Sequence, residues 1–163
     1  MGKVVRYGLG DYMNIKPKEG TKSFEYMNNG FTTLDENPSA KVETTPYVGD
    51  RSASGAITGY ECVFPFECQL DDNEEVILFI YNISRNQLTG EDAETEYVRA
   101  DIFKMKDGET TCPARLFKVA VEVTNVAGEG TQIVKVSGNL HQVGDFTEGT
   151  FDIKSKTFTP ATA

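Results

Sequence analysis

Period-two alternation runs through most of this chain, and it confines the fold to antiparallel sheets with one dry side. Between Ile57 and Gln69, the residues Tyr60, Cys62, Phe64, Phe66 and Cys68 fall on one face, while Gly59, Glu61, Glu67 and Gln69 fall on the other. Successive side chains of a strand point to opposite sides of the pleat, so one face is built for a core and one for water. Phe117, Val119, Val121 and Val123 likewise oppose Lys118, Glu122 and Thr124; Val134, Val136 and Leu140 oppose Lys135, Ser137 and Asn139; Val98, Ala100 and Ile102 oppose Arg99 and Asp101. The expected fold class is mainly β: an antiparallel sandwich or barrel with one flanking α-helix, its polar faces turned to water or to a channel.

The helix is expected over Asp72 to Arg85. Asp72 and Glu75 have capping-box spacing, and Val76, Phe79, Ile80 and Ile83 recur at i, i+3, i+4, i+7. Ile77, Leu78 and Tyr81 extend apolar surface around most of the circumference, so the helix needs cover from more than one direction. Its own sheet supplies one cover; loops of the same domain or a neighbouring subunit supply the other. Turn signals divide the rest. Asn29-Gly30 predicts a hairpin from Phe24 to Leu34, and Asp107-Gly108 pairs Tyr97 to Met105 with the segment through Arg115. Gly128-Glu129-Gly130 turns Leu116 to Val123 onto Gln132 to Leu140, and Gly144-Asp145 turns that strand onto Thr150 to Phe158, giving a four-stranded meander. Further strands are expected near Lys3 to Leu9, Lys41 to Thr45 and Ile57 to Gln69. The segment from Asp35 to Ala56 is rich in Pro, Gly, Ser and charge and too long for an ordinary hairpin connection. It reads either as an arm that orders against a neighbour or as a solvated excursion. The tail FTPATA reads as loose.

A chain of 163 residues is expected to form one domain, 1–163, large enough to bury on the order of 70% of its unfolded surface without staples. The formal charge of -9 argues against nucleic-acid or anionic-membrane binding, which calls for a basic face. Cys62, Cys68 and Cys112 form an odd set without CxxC spacing and read as reduced, small apolar residues. The stretch MGKVVRYGLGDYMN has no long apolar core, so a soluble product made in the cytoplasm is expected. No catalytic constellation accompanies this frame. His141 is the sole histidine, no nucleophile motif or phosphate loop supports it, and the acidic groups around Asp71 to Glu75 and Glu91 to Glu96 lack EF-hand spacing. The expectation is no enzyme, no cofactor and no metal site.

The segments VVRYGLGDYMN, GFTTLDENPSAKVETTPYVGD, ITGYECVFPFE and LTGEDAETEYVRADIFK, in this order, resemble the major tail (tube) proteins of long-tailed phages of Gram-positive bacteria. The resemblance covers most of the chain and implies rings, hexameric in such proteins, whose joined sheets line a lumen and which stack into a tube around a tape-measure protein. It implies partners in further copies of the chain, the tape-measure protein and the tail initiation and terminator proteins, with DNA passing through the lumen unbound. It also implies a chain made in the host cytoplasm and assembled into the virion tail. Strand alternation and net charge then nominate Glu61, Glu67 and Glu122, diluted by Lys118 and Lys135, for the lumen. Leu78 and Tyr81 on the helix, Tyr47, Val48, Asp50 and Arg51 on the arm, and Phe158 near the C-terminus are the candidate contacts between subunits or rings. Other readings of the same features are the tube of a phage-tail-like bacteriocin or contractile injection system, a virion decoration or adhesin sandwich, and a monomeric ligand-binding β-barrel.

Overall fold

One long strand organises the molecule, a computed structural model that describes residues 2–161. This strand, β8 (Thr111–Ala127), carries β7 (Glu94–Ala100) along one edge. On its other edge, β9 (Lys135–Gln142) pairs with the C-terminal part and β10 (Thr147–Asp152) with the N-terminal part. The main sheet runs β2-β1-β7-β8-β9-β6-β3, with β1 at Gly10–Asn14, β2 at Phe24–Tyr26, β3 at Phe31–Leu34 and β6 at Val63–Gln69; β11 (Thr157–Pro160) extends it beside β10. All of these pairings are antiparallel. β4 (Ala40–Thr45) and β5 (Ser54–Tyr60) form a separate two-stranded ribbon.

Two cores follow from the alternation. In the larger, α1 (Glu75–Arg85) lays Val76, Ile77, Ile80 and Ile83 on the sheet face that carries Phe64, Phe66, Tyr97, Phe117, Val119, Val121, Val136 and Leu140. Each such fully buried side chain contributes about 1.5–3 kcal/mol. The smaller core lies on the opposite face, where the β2-β1-β7-β8-β10 region curls over Tyr12, Phe24, Val98, Ala100, Cys112, Ala114 and Phe151. β1 and β10 stand three strand spacings apart, about 14 Å in a flat sheet. Yet the Tyr12 and Phe151 rings are 4.4 Å apart between centroids, so the sheet curls over this core. Lys156, in the turn between β10 and β11, reaches Glu25 of β2 at 3.1 Å. The result is an antiparallel β fold with one helix, part sandwich and part barrel, as the alternation predicted.

Several local expectations are corrected. The Asn29-Gly30 turn does not make a hairpin, because β2 pairs with β1 and β3 with β6 at opposite ends of the sheet. Asn28 decides this. Its Nδ2 donates to the Leu9 carbonyl and its Oδ1 accepts from the Asp11 amide, tying the end of β2 to β1, while Gly30 at φ +82° redirects the chain across the sheet. A methyl group there would meet Ile77 Cδ1 at 2.7 Å. The helix begins three residues after Asp72, because Asp71 shapes the preceding turn by accepting from the amide of Asn73 and, through its carbonyl, from that of Glu74. The capping box is absent: Glu74 stands at the N-cap and no side chain bonds there.

The predicted strand Ile57–Gln69 is two strands on different sheets, and Tyr60, expected inward, is 64% exposed. Lys3–Leu9 forms a 3-10 turn at Arg6–Gly8 rather than a strand. Past Gly144 the chain leaves β9 for β8, and the Asp152 carboxylate accepts from the amides of Lys154 and Ser155 to break the expected Thr150–Phe158 strand. The FTPATA tail is paired over Phe158–Pro160 in β11; Thr162 and Ala163 lie outside the described residues. The Asp35–Ala56 segment is no open loop but largely the β4–β5 ribbon.

Candidate assembly surface

Beyond the smaller core, the face of β7-β8-β9-β6 turned away from the helix is polar, and four of the five residues nominated for a lumen stand on it. Glu122 opposes Asn139 and Glu67 opposes Ser137, one strand from Lys135. Glu122 Oε1 accepts from Asn139 Nδ2 at 2.9 Å and lies 3.0 Å from His141 Nε2. The Asn139 amide first, then His141, hold its carboxyl below the usual range. Lys135 pairs with Glu67 and Lys118 with Glu94, each at 3.9 Å. Lys22 reaches Glu96 at 2.9 Å. Every lysine here therefore faces a carboxylate. Glu61 is elsewhere: it follows the ribbon and pairs with Lys41 at 3.0 Å.

The nominated contact residues fall into three places. On α1, Leu78 and Tyr81 are half-buried, with Tyr81 packed against the larger core, so the helix is covered mainly by its own sheet. At the ribbon tip Tyr47 is 66% exposed and Val48 fully exposed, and Asp50 closes the turn by accepting from the Tyr47 amide; Arg51 is also exposed there. Phe158 is half-buried opposite Phe151 on β11. Along the ribbon, Val42 and Ile57 are cross-strand partners and both exposed, and with Tyr60 they form an apolar stripe on one face. A two-stranded ribbon is marginal by itself in water, and this one leaves an apolar face uncovered.

Beneath the ribbon's base lies a buried group of charges. Asp11 of β1 opposes Arg99 of β7, which opposes Arg115 of β8. Asp11 is fully buried and Arg99 4% exposed. The Asp11 carboxylate accepts from Tyr97 Oη and Arg6 Nη2. Glu36, just past β3, takes a two-pronged hydrogen bond from Arg115 at 2.9 and 2.7 Å. Burial pushes the Glu36 carboxyl up, but the hydrogen bonds and charge of Arg115, with Arg99, outweigh it and leave it below the usual range. Arg115 also lies over the Phe117 and Phe146 rings. An open cleft of about 540 Å³ between the ribbon base and the β9–β10 turn is lined in part by Glu36, Tyr60, Cys62, Arg115, Phe117 and Phe146. The three thiols are buried and unpaired, and burial raises the Cys68 and Cys112 thiols to about 12 and about 11, far from a reactive thiolate.

This arrangement of sheet, helix and ribbon has a counterpart among solved structures. A chain in the cryo-EM structure of the anti-feeding prophage baseplate, symmetrised six-fold, has the same fold. The TM-score is 0.52 at 8% identity, and the match covers 94% of this chain and 99% of that one. No family model and no curated protein matches the sequence. At that identity the likeness is one of fold, and it spans nearly the whole of both chains.

Sequence reasoning passed over the charge cluster because Arg99 and Asp101 alternate with Val98 and Ala100 as if on a wet face. The available signal was the adjacent pairs Tyr97-Val98 and Leu116-Phe117. Apolar residues on consecutive positions of a strand place both of its faces against a core. Residues 97–100 are in fact buried without interruption.

Proposed function

We propose that this chain is a structural subunit of a phage tail tube: copies join into hexameric rings, rings stack, and the lumen conducts DNA into the host cell. The observation that carries this reading is the fold shared end to end with a chain of a six-fold symmetrised prophage baseplate. The uncovered ribbon and the open outer edges of β2 and β3 support it, since unpaired strand edges on neighbouring copies recruit one another through backbone hydrogen bonds. The working of the tube needs no catalytic chemistry. In this reading the helix-distal face of β7-β8-β9-β6 lines the lumen. Its glutamates (67, 94, 96 and 122) outnumber Lys118 and Lys135, each of which lies 3.9 Å from one of those carboxylates. Phosphate therefore meets net repulsion over a Debye length of about 8 Å, and DNA slides rather than binds.

The tape-measure protein and the tail initiation and terminator proteins would be its partners, and the virion tail its site of residence. A second reading, the tube of a phage-tail-like bacteriocin or contractile injection system, is favoured by the neighbour's own origin in an anti-feeding prophage. Both share the ring logic and part only on whether DNA passes. Sedimentation of the purified chain over a wide concentration range tests the assembly common to both. Mass should rise with concentration through a hexamer to longer species. A constant monomer mass at every concentration would oppose self-assembly and favour a ligand-binding domain using the cleft above Cys62 and Phe117.

A further inference from the structure

Arg6, Asp11, Arg99 and Glu36 form a continuous line of charge, joined at Glu36 by Arg115, and its two ends serve the two exposed elements of the fold. At one end Arg6 belongs to the N-terminal segment, where Val4, Val5 and Tyr7 are at least half exposed. At the other, Glu36 stands at the root of the ribbon. Between them Arg99 Nε lies 3.6 Å from Asp11 Oδ1, and Arg99 Nη1 lies 3.6 Å from Glu36 Oε1. Neither nitrogen has a hydrogen-bond partner, although both are buried. Arg99 Nη2 lies 3.4 Å from the Leu34 carbonyl, which also accepts from Arg6 Nη2 at 3.2 Å. Arg6 and Arg99 thus share one acceptor, the Leu34 carbonyl, and face the same Asp11 carboxylate, which Arg6 hydrogen-bonds and Arg99 only neighbours.

We propose that Arg99 is a positioning residue that couples the N-terminal segment to the β4–β5 ribbon, so that the placement of one sets the placement of the other. Two guanidinium groups side by side on adjacent strands repel, and in a buried setting each requires a carboxylate. Asp11 and Glu36 are the two at hand, and Arg99 is held equally far from both. Its rigid, planar fork cannot close on one carboxylate without withdrawing from the other, unless both elements move together. When Arg6 releases Asp11, Asp11 draws Arg99 toward it and Glu36 loses part of its hold. That loss reaches the ribbon through its root, where Asn37 and Val63 exchange backbone hydrogen bonds of 2.8 and 2.9 Å and the Asp35 amide donates to Pro65. Coupling through a shared element of this kind is reciprocal.

The inference is independent of ring formation, because it is read in the unassembled chain. Amide hydrogen exchange is followed by NMR on the full-length protein at low concentration, comparing wild type with Arg6→Gln, Glu36→Gln and, as a control, Lys41→Gln, which breaks the ribbon's Lys41–Glu61 pair outside the line of charge. Arg6→Gln should speed exchange at Asp35, Asn37, Glu61 and Val63 by about twofold or more, the lower end of couplings within one ion-pair network. Glu36→Gln should do the same at Gly8, Leu9 and Met27, while the β8–β9 amides hold steady. Lys41→Gln should leave the N-terminal amides unchanged. If Arg6→Gln loosens the whole sheet, Arg6→Lys, which keeps the charge but not the two-acceptor reach, makes the same comparison. Effects confined to the mutated element, with no change across the cluster, would overturn the coupling.

Discussion

Glu36 shows how much one half-buried side chain can carry. It answers two arginines, and the sequence offers no hint of this, since Asp35-Glu36 opens a stretch that reads as solvated loop. Its carboxyl is held below the usual range in the folded state, so its stabilising effect is fully present above the ordinary carboxylate pKa and is lost as pH falls through the folded value. Wild-type stability should therefore drop on acidification below the ordinary glutamate range. Glu36→Gln should remove that part of the acid limb, at a cost of about 2 kcal/mol at neutral pH for two lost charge-assisted hydrogen bonds, discounted for partial exposure. Urea midpoints of both proteins across the acid range check this. Gly138 is another position whose role shows only in three dimensions. It sits in the dry row between Val136 and Leu140, and a methyl group there would lie 1.9 Å from the Glu122 carbonyl oxygen, beside the bulge in β8.

At the scale of elements, period-two alternation located β6, β8 and β9 and placed their apolar sides correctly over Phe64, Phe66, Phe117, Val119, Val121, Val136 and Leu140, whereas in β7 it set Arg99 on a wet face that is buried. It failed too where partner choice, not facing, was the question. Asn29-Gly30 and Gly144-Asp145 carry turn chemistry, but local turn preference is weak beside the ties of Asn28 to β1 and the free edge of β8, so both strands pair elsewhere. The ribbon was legible as an excursion and not as a hairpin, because its tip spans residues 46–53, too long for a tight-turn signal. Its exposed Val42–Ile57 pair makes a clean prediction. Replacing both with Thr keeps β-branched shape at solvent-facing sites, so monomer stability should change by no more than about 0.5 kcal/mol. If the ribbon is a surface between copies, the concentration-dependent rise in mass should be lost. Unchanged mass growth in the double variant would remove the ribbon from the assembly surface.

The whole molecule is one sheet, helix-covered on one side of β8 and curled on the other, and that curl was beyond sequence reasoning, which sees which faces are dry but not that a sheet bends until Tyr12 meets Phe151. The candidate lumen residues fared unevenly for the same reason. Glu67, Glu122, Lys118 and Lys135 share a face because they lie on strands whose register the alternation constrains, whereas Glu61 lies in the break between β5 and β6 and pairs with the ribbon's Lys41. If the shared face is luminal, Glu67→Lys with Glu122→Lys should leave tube formation intact while slowing DNA delivery, because unpaired cations would then face the phosphates. Unaltered delivery by such tails would refute the low-friction lumen. The central claim is assembly itself, and negative-stain electron microscopy of the concentrated protein tests it most directly. The account predicts hollow rings whose end-on averages have six-fold symmetry, with stacks of such rings in side view; fields of single compact particles at every concentration would contradict it.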